Sequence, residues 1–419
     1  MTRARALALA VSAALAGAAW WTLHTRSAEA SASRSRAEAE LRGHDITFYE
    51  TRVVEDPQSA ADLAQLAGLY LQRGRETGAL EDLMRAEEAA RRSLALREAR
   101  NGKARLVLAS SLLARHRFPE ALAEAEHLCH LQPDEPAYCA LLSEIQLEMG
   151  DYDAARATFG ALASARGNLA VAPRLARWAE IIGATEAARR ILYTALEETK
   201  RRPDLPREQV VWFYLRVGDL ELRTGRLGVA RNALKEGLGY QPHDRRLLAA
   251  MARLEALQGR WKSAIRYGRR AVEKVPDLAT LALIGDAYAA LGDAAAATES
   301  YDAVERLAVE APEPFNRAWT LFRLDHGRKL HETVALLQQE IETRRDVYGY
   351  DQLAWGRYQL GDYAGARSAM LAALRMNTRD AVLWYHAGMI EAALGSHDAA
   401  QQHLTMALEV NPYFHHTFP

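Results

Sequence analysis

The sequence predicts an all-α fold, an α-solenoid of about ten helix–turn–helix units, on three observations. The chain has 419 residues, beyond the roughly 250–300 at which a single hydrophobic core stops growing. Its composition is globular, 49% hydrophobic and 26% charged, so the length implies several domains or an elongated array. Small residues also recur at one interval. Aligned on Gly361 and Gly395, the last two helix pairs repeat every 34 residues, and a fixed period of that size marks a stacked architecture.

The elements are predicted in chain order. "MTRAR" is a short basic head, followed by an uncharged stretch of 18 residues from Ala6 to Leu23. That is just long enough to cross a bilayer at about 1.5 Å per residue. Ala16-Gly17-Ala18 and Ala28-Glu29-Ala30 fit a small-x-small cleavage site, whereas Trp20-Trp21 would suit an interfacial aromatic belt. Residues 1–23 are therefore expected to be a signal peptide or a membrane anchor. A mitochondrial-type presequence is the alternative, because no acid precedes Glu29. The absence of Cys before Cys129 excludes a lipid-modified N-terminal cysteine. The expected location is outside the cytoplasm, periplasmic or held in a bacterial inner membrane facing the periplasm. Residues 24–43, rich in Ser, Ala and Arg, read as a disordered linker. "DITFYETRVVEDP", ending at Pro57, fits the second half of a unit, so residues 44–59 are expected to cap the array.

The array proper is predicted over residues 60–414, with 415–419 as a short tail. Its last units start at Val347 and Ala381. An aromatic falls at position 4 (Tyr350, Trp384) and Ala or Gly at 8 (Ala354, Gly388). Gly comes at 15, a ring at 17 (Tyr363, His397), and Ala at 20 (Ala366, Ala400) and 27 (Ala373, Ala407). Positions 8, 20 and 27 are where paired helices approach most closely, so a side chain larger than a methyl would force the axes apart. Gly at 15 relieves the left-handed conformation that ends the first helix. The register extends backward to units starting at Ala60, Gly102, Pro136, Leu169, Val211, Arg245, Leu278 and Glu313. Pro133, Pro242, Pro276 and Pro412 share position 32, where a proline stops the second helix. Two irregularities stand out. "GRETGALED", Gly74–Asp82, adds about seven residues between the helices of the first unit, and the Glu313 unit matches poorly after Gly327.

This pattern resembles the tetratricopeptide repeat (TPR) family, whose consensus is W-x2-L-G-x2-Y followed by A, F, A and P. The resemblance covers the chain from about Asp45 to its end. It implies a right-handed superhelix in which the first helix of each unit lines an inner groove, with positions 2, 5, 9, 12 and 13 facing a protein or peptide partner. On this chain those positions place Arg317, Tyr348, Asp351, Trp355, Tyr358, Tyr385 and Met389 as candidate partner-binding residues. Aromatic and Arg side chains on a concave wall are usual hot-spot material; alternatively these rings fold on one another and seal the end of the array. The middle groove offers Arg177, Glu180, Trp212, Asp219, Arg223, Arg253 and Asp286, and the N-terminal groove Ala61, Ala64, Gly68, Leu71 and Leu106. The family's best-defined binding codes are missing. Position 5 is never Lys, position 9 is never Asn, and the Asn ladder at position 6 is replaced by residues such as Gln65, Val107, Leu141 and Arg174.

Chemistry has little foothold. "HETVA" at His331 ends in Ala335 where a zinc protease needs His, and no nucleophile elbow, phosphate loop or dinucleotide turn occurs. No catalytic residue, cofactor or metal is expected. A net charge of −1 with interspersed signs gives no basic face for nucleic acid. Cys129 and Cys139 flank a turn; they form either a disulfide, favoured in an oxidising compartment, or two buried thiols. His127, Cys129, His130 and Cys139 lack zinc-finger spacing. The expected function is thus a non-enzymatic, exported scaffold for a protein partner, serving assembly of envelope complexes. A carbohydrate-binding or polymer-export accessory is the alternative.

Overall fold

The computed structural model describes residues 33–310 and 316–416. The signal or anchor, the first part of the linker, the unit start at Glu313 and the last residues of the tail lie outside the described residues. Among the described residues, regular structure consists of 21 α-helices and one short 3-10 turn, with no strand. None of these helices is long and apolar enough to cross a membrane.

Helix α1 covers residues 33–55. The pairs that follow are α2 (Ala60–Thr77) with α3 (Leu80–Leu96), α4 (Gly102–Ala114) with α5 (Phe118–Leu131), and α6 (Pro136–Met149) with α7 (Tyr152–Ala161). Next come α8 (Ala172–Ile181) with α9 (Thr185–Lys200), α10 (Arg207–Arg223) with α11 (Leu227–Tyr240), and α12 (Arg245–Ala256) with α13 (Trp261–Val272). The last four are α14 (Leu278–Ala290) with α15 (Ala294–Glu310), α16 (Arg317–Asp325) with α17 (Leu330–Thr343), α18 (Val347–Gln359) with α19 (Tyr363–Ala373), and α20 (Ala381–Ala393) with α21 (His397–Val410). Together they form a right-handed α-solenoid.

Local chemistry sets the ends. Side chains of Ser59, Asp244, Asp277, Asn316, Asp346 and Asp380 accept hydrogen bonds from backbone N–H groups in the first turns of their helices, satisfying donors that have no intrahelical partner. Gly361 and Gly395 close α18 and α20 with φ of 81° and 76°. Between paired helices the small residues lie inside. Ala354, Ala366, Ala373, Ala387, Ala400 and Ala407 are all buried, and a Cβ on Gly388 would overlap Leu404 of α21.

Several elements depart from expectation. Residues 33–43, expected as disordered linker, are helical. Their Ala, Glu and Arg content favours helix, and Arg42 fastens them by a 2.8 Å bond to Glu76 of α2. The extra residues around Gly78 lengthen α2 and α3 instead of forming a loop, with Gly78 at φ 80° as the break. Helix α8 starts three residues after Leu169 because Pro173 occupies its first turn. Helix α10 starts four residues before Val211, directly after Pro206.

The superhelix is wound tightly enough for its second turn to rest on its first. Arg345 N–H donates to Met149 C=O at 2.8 Å. Arg344 Nε donates to Glu148 C=O at 3.0 Å, across 196 residues. Thr378 Oγ1 donates to Ile181 C=O at 2.6 Å, across 197 residues, and Asn411 Nδ2 to Leu222 C=O at 3.1 Å, across 189. These acceptors are among the last carbonyls of α6, α8 and α10, where the regular helical ladder runs out; Leu222 C=O also accepts from Gly225 N–H at 3.2 Å. The loops after α17, α19 and α21 therefore cap helices between five and six repeats upstream. At Gly150 and Gly183 the approach is so close that a Cβ would overlap the backbone of Arg345 and Asn377.

Candidate functional site

Because the first helix of each pair faces inward, the first superhelical turn encloses a lumen of about 600 Å³. Helices α2, α4, α6, α8 and α10 line it. Its wall alternates apolar surface, such as Leu71, Leu147 and Trp212, with Arg75, Arg174, Arg177, Arg216, Glu144, Glu148 and Glu208.

Most of these charges are paired. Arg174 bonds Glu144 at 2.6 Å, Glu208 bonds Arg246 at 2.7 Å, and Glu148 is held by Arg344 of the turn above. Glu180 sits among Arg177, Arg216 and Arg223. Burial alone would raise its carboxyl, but the three guanidinium groups outweigh burial and hold it below the usual carboxylate range. Arg75 differs. Water reaches it through the lumen, yet protein surrounds it, and this incomplete solvation pushes its guanidinium down. No hydrogen bond or ion pair of Arg75 occurs among the described residues. It faces a half-apolar cavity, with Glu208 and Glu144 acting on it from a distance rather than through a bond.

The C-terminal candidates are committed elsewhere. Arg317 donates to Glu340 at 3.0 Å and to Asp346 at 2.8 Å, so it locks α16 to the loop before α18. The Tyr348 hydroxyl contacts Asp380 at 3.5 Å, and Arg177 of the first turn lies over its ring at 5.2 Å. Asp351 accepts from His386 Nδ1 at 2.8 Å. Trp355 is 8% exposed and stacks on His386 at 4.1 Å and on Tyr358 at 4.8 Å. Tyr385 and Met389 are half-buried beside it, with Tyr385 against Phe414 at 5.2 Å. The rings fold on one another at this end of the groove. Arg317, Tyr348, Asp351 and Trp355 are thus engaged in ion pairs, hydrogen bonds and ring stacking within the fold.

Cys129 and Cys139 are joined in a disulfide with Cα atoms 4.8 Å apart, tying α5 to α6. Among the described residues no cluster of His, Cys, Asp or Glu is arranged to hold a metal. Trp212, Arg177 and Leu71 were legible as groove residues. Arg75 was not, because it falls at position 16 of its unit, past the usual end of a first helix. The signal was present in the extra residues that carry α2 on to Thr77.

A tetratricopeptide-repeat family model matches residues 215–279 and 352–413. No curated protein matches the chain. Among solved structures, PilW, described as a widely conserved type IV pilus biogenesis factor, is 21% identical over 53% of this chain and 98% of its own, with a TM-score of 0.41. A human IFIT1 dimer with m7Gppp-AAAA is 15% identical over 87% of this chain and 94% of its own, at 0.48. Yeast Tom70 is 12% identical over 91% and 92%, at 0.39.

Proposed function

We propose that this chain, a tetratricopeptide-repeat protein, is a non-enzymatic scaffold that holds an acidic segment of a protein partner in the lumen of its first superhelical turn. The observation that carries this reading is Arg75, an under-solvated cation beside an apolar wall, near Glu208 and Glu144 but hydrogen-bonded to neither. A partner carboxylate would supply the missing bond, and a hydrogen bond to a charged group contributes about 1.5–3 kcal/mol. Leu71, Leu147 and Trp212 would take the apolar flanks of the same segment.

We further read the scaffold as exported and used in assembling envelope complexes. The Cys129–Cys139 bridge supports an oxidising compartment, and the basic head followed by the Ala6–Leu23 stretch supports export. Sugar binding has less support, since the ring faces of Trp355 and Tyr358 stack on each other and on His386.

Site-specific photo-crosslinking tests the reading. A benzophenone side chain replacing Gln72 or Gln209 in the lumen should capture a partner protein in cells. Arg75→Glu should abolish that adduct, and Arg75→Ala should weaken it by about 10- to 100-fold in affinity. A probe at Leu371, on outer helix α19 and 67% exposed, should not form it. Identical adducts from Leu371, or adducts indifferent to Arg75→Glu, would refute the assignment.

A further inference from the structure

The second superhelical turn has its own inner face, and residues 413–416 lie along it. After α21 ends at Val410, Asn411 is fixed to Leu222 C=O and residues 413–416 turn inward. The Phe414 ring packs against Tyr385 of α20 at 5.2 Å. His415 Nε2 lies 3.9 Å from Asp325 of α16. His416 Nε2 contacts Asp286 Oδ2 of α14 at 2.8 Å, across 130 residues, and its ring meets Trp261 edge-on at 6.3 Å.

Tyr385, Asp286 and Asp325 stand at positions 5, 9 and 13 of their units, which are inward-facing positions of three different first helices. The tail thus passes from α20 to α16 and α14, with Phe414, His415 and His416 each set against one of these first helices. Its receptor is built to receive it. Asp286 is oriented by Tyr301 OH at 2.9 Å and His326 Nε2 at 2.8 Å, leaving Oδ2 for the incoming imidazole. An aromatic ring, the Asp286 carboxylate and Asp325, whose carboxyl is pushed up by burial to about 6, define the chemistry that fits: an aromatic side chain followed by two imidazoles. Burial pushes the first of these, His415, down to about 3.

We propose that the inner face of α14, α16 and α20 is a binding site for a short aromatic–imidazole segment, and that residues 413–416 occupy it as a tethered, displaceable ligand. This site is separate from the lumen around Arg75. A tethered segment acts at an effective concentration on the order of millimolar. An external segment must therefore outcompete the tail, which makes the tail a threshold on entry.

The test uses the full chain. In a Phe414→Ala, His416→Ala double variant, a fluorescent peptide with the sequence of residues 411–419 should bind. Against a peptide Kd of about 10 µM, the wild-type tail should weaken apparent binding about a hundredfold. Adding Asp286→Asn to the double variant should abolish peptide binding. Hydrogen exchange of α14 and α16 should rise in the double variant and fall again with peptide, while α2 to α10 stay unchanged, which also reports whether the variant is folded. Equal binding to wild type and variant, or no binding to a folded variant, would overturn the proposal. So would exchange in α14 and α16 that peptide does not restore. None of these outcomes involves Arg75, so failure here is distinguishable from failure of the lumen reading.

Discussion

Gly150 and Gly361 form a matched pair for measuring what holds one superhelical turn on the next. Both end a first helix in the left-handed region, at φ 78° and 81°. A Cβ at Gly361 would meet nothing within 4 Å, whereas at Gly150 it would overlap the backbone of Arg345. Alanine at either site incurs about 1–2 kcal/mol for the left-handed conformation. At Gly150 an overpacking term of about 1–3 kcal/mol is added. The Arg345 N–H bond to Met149 C=O, at 2.8 Å, is also disturbed, and such a bond is worth about 0.5–1.5 kcal/mol net. Gly150→Ala should therefore lose about 3–6 kcal/mol in urea unfolding, and Gly361→Ala only about 1–2. Hydrogen exchange should accelerate at residues 344–350 in Gly150→Ala alone. Equal losses, or unchanged exchange at 344–350, would show that the turns do not bear on one another.

Other outcomes follow from single contacts. Arg317→Ala should destabilise by about 1.5–3 kcal/mol, because it removes charge-assisted bonds from the buried Glu340 and Asp346 and leaves them only Arg344; a stable variant with lowered partner affinity would favour a binding role. Replacing Cys129 and Cys139 by Ser should cost somewhat under about 3 kcal/mol, given their separation of 10 residues, and reductant should then lower the melting of wild type but not of the variant. Glu180 has a depressed carboxyl, so its contribution is present above its unfolded value near 4.5 and lost as pH falls below it. In an acid titration Glu180→Gln should flatten the decline of stability below pH 4.5, and an unchanged slope would contradict that.

The parts legible in the sequence are those governed by neighbours 34 residues apart. Ala354, Ala366 and Ala373 mark helix contacts because the same constraint recurs in most units, and Gly361 and Gly395 mark helix ends for the same reason. Contacts between turns leave no such trace. Arg345, Thr378 and Asn411 each meet a different partner nearly 200 residues away, and one instance of each contact makes no pattern. The aromatic end of the groove was legible as rings on inward positions. Whether those rings were open depended on His386 and Phe414, whose roles follow only from how the last units and the tail fold together. Residues 33–43 misled through composition, since Ser and Arg suggest a linker while Ala and Glu favour a helix once Arg42 finds Glu76.

An open repeat array can gain or lose a module with consequences confined to the junction. The seating of residues 345, 378 and 411 on the ends of α6, α8 and α10 removes that freedom. Duplicating one helix pair between Met149 and Arg345 would rotate every later loop by about a sixth of a coil, away from the carbonyl it covers. Copy number in this stretch is therefore set by screw geometry, and lineages carrying this coil should tolerate longer loops far more readily than an extra module.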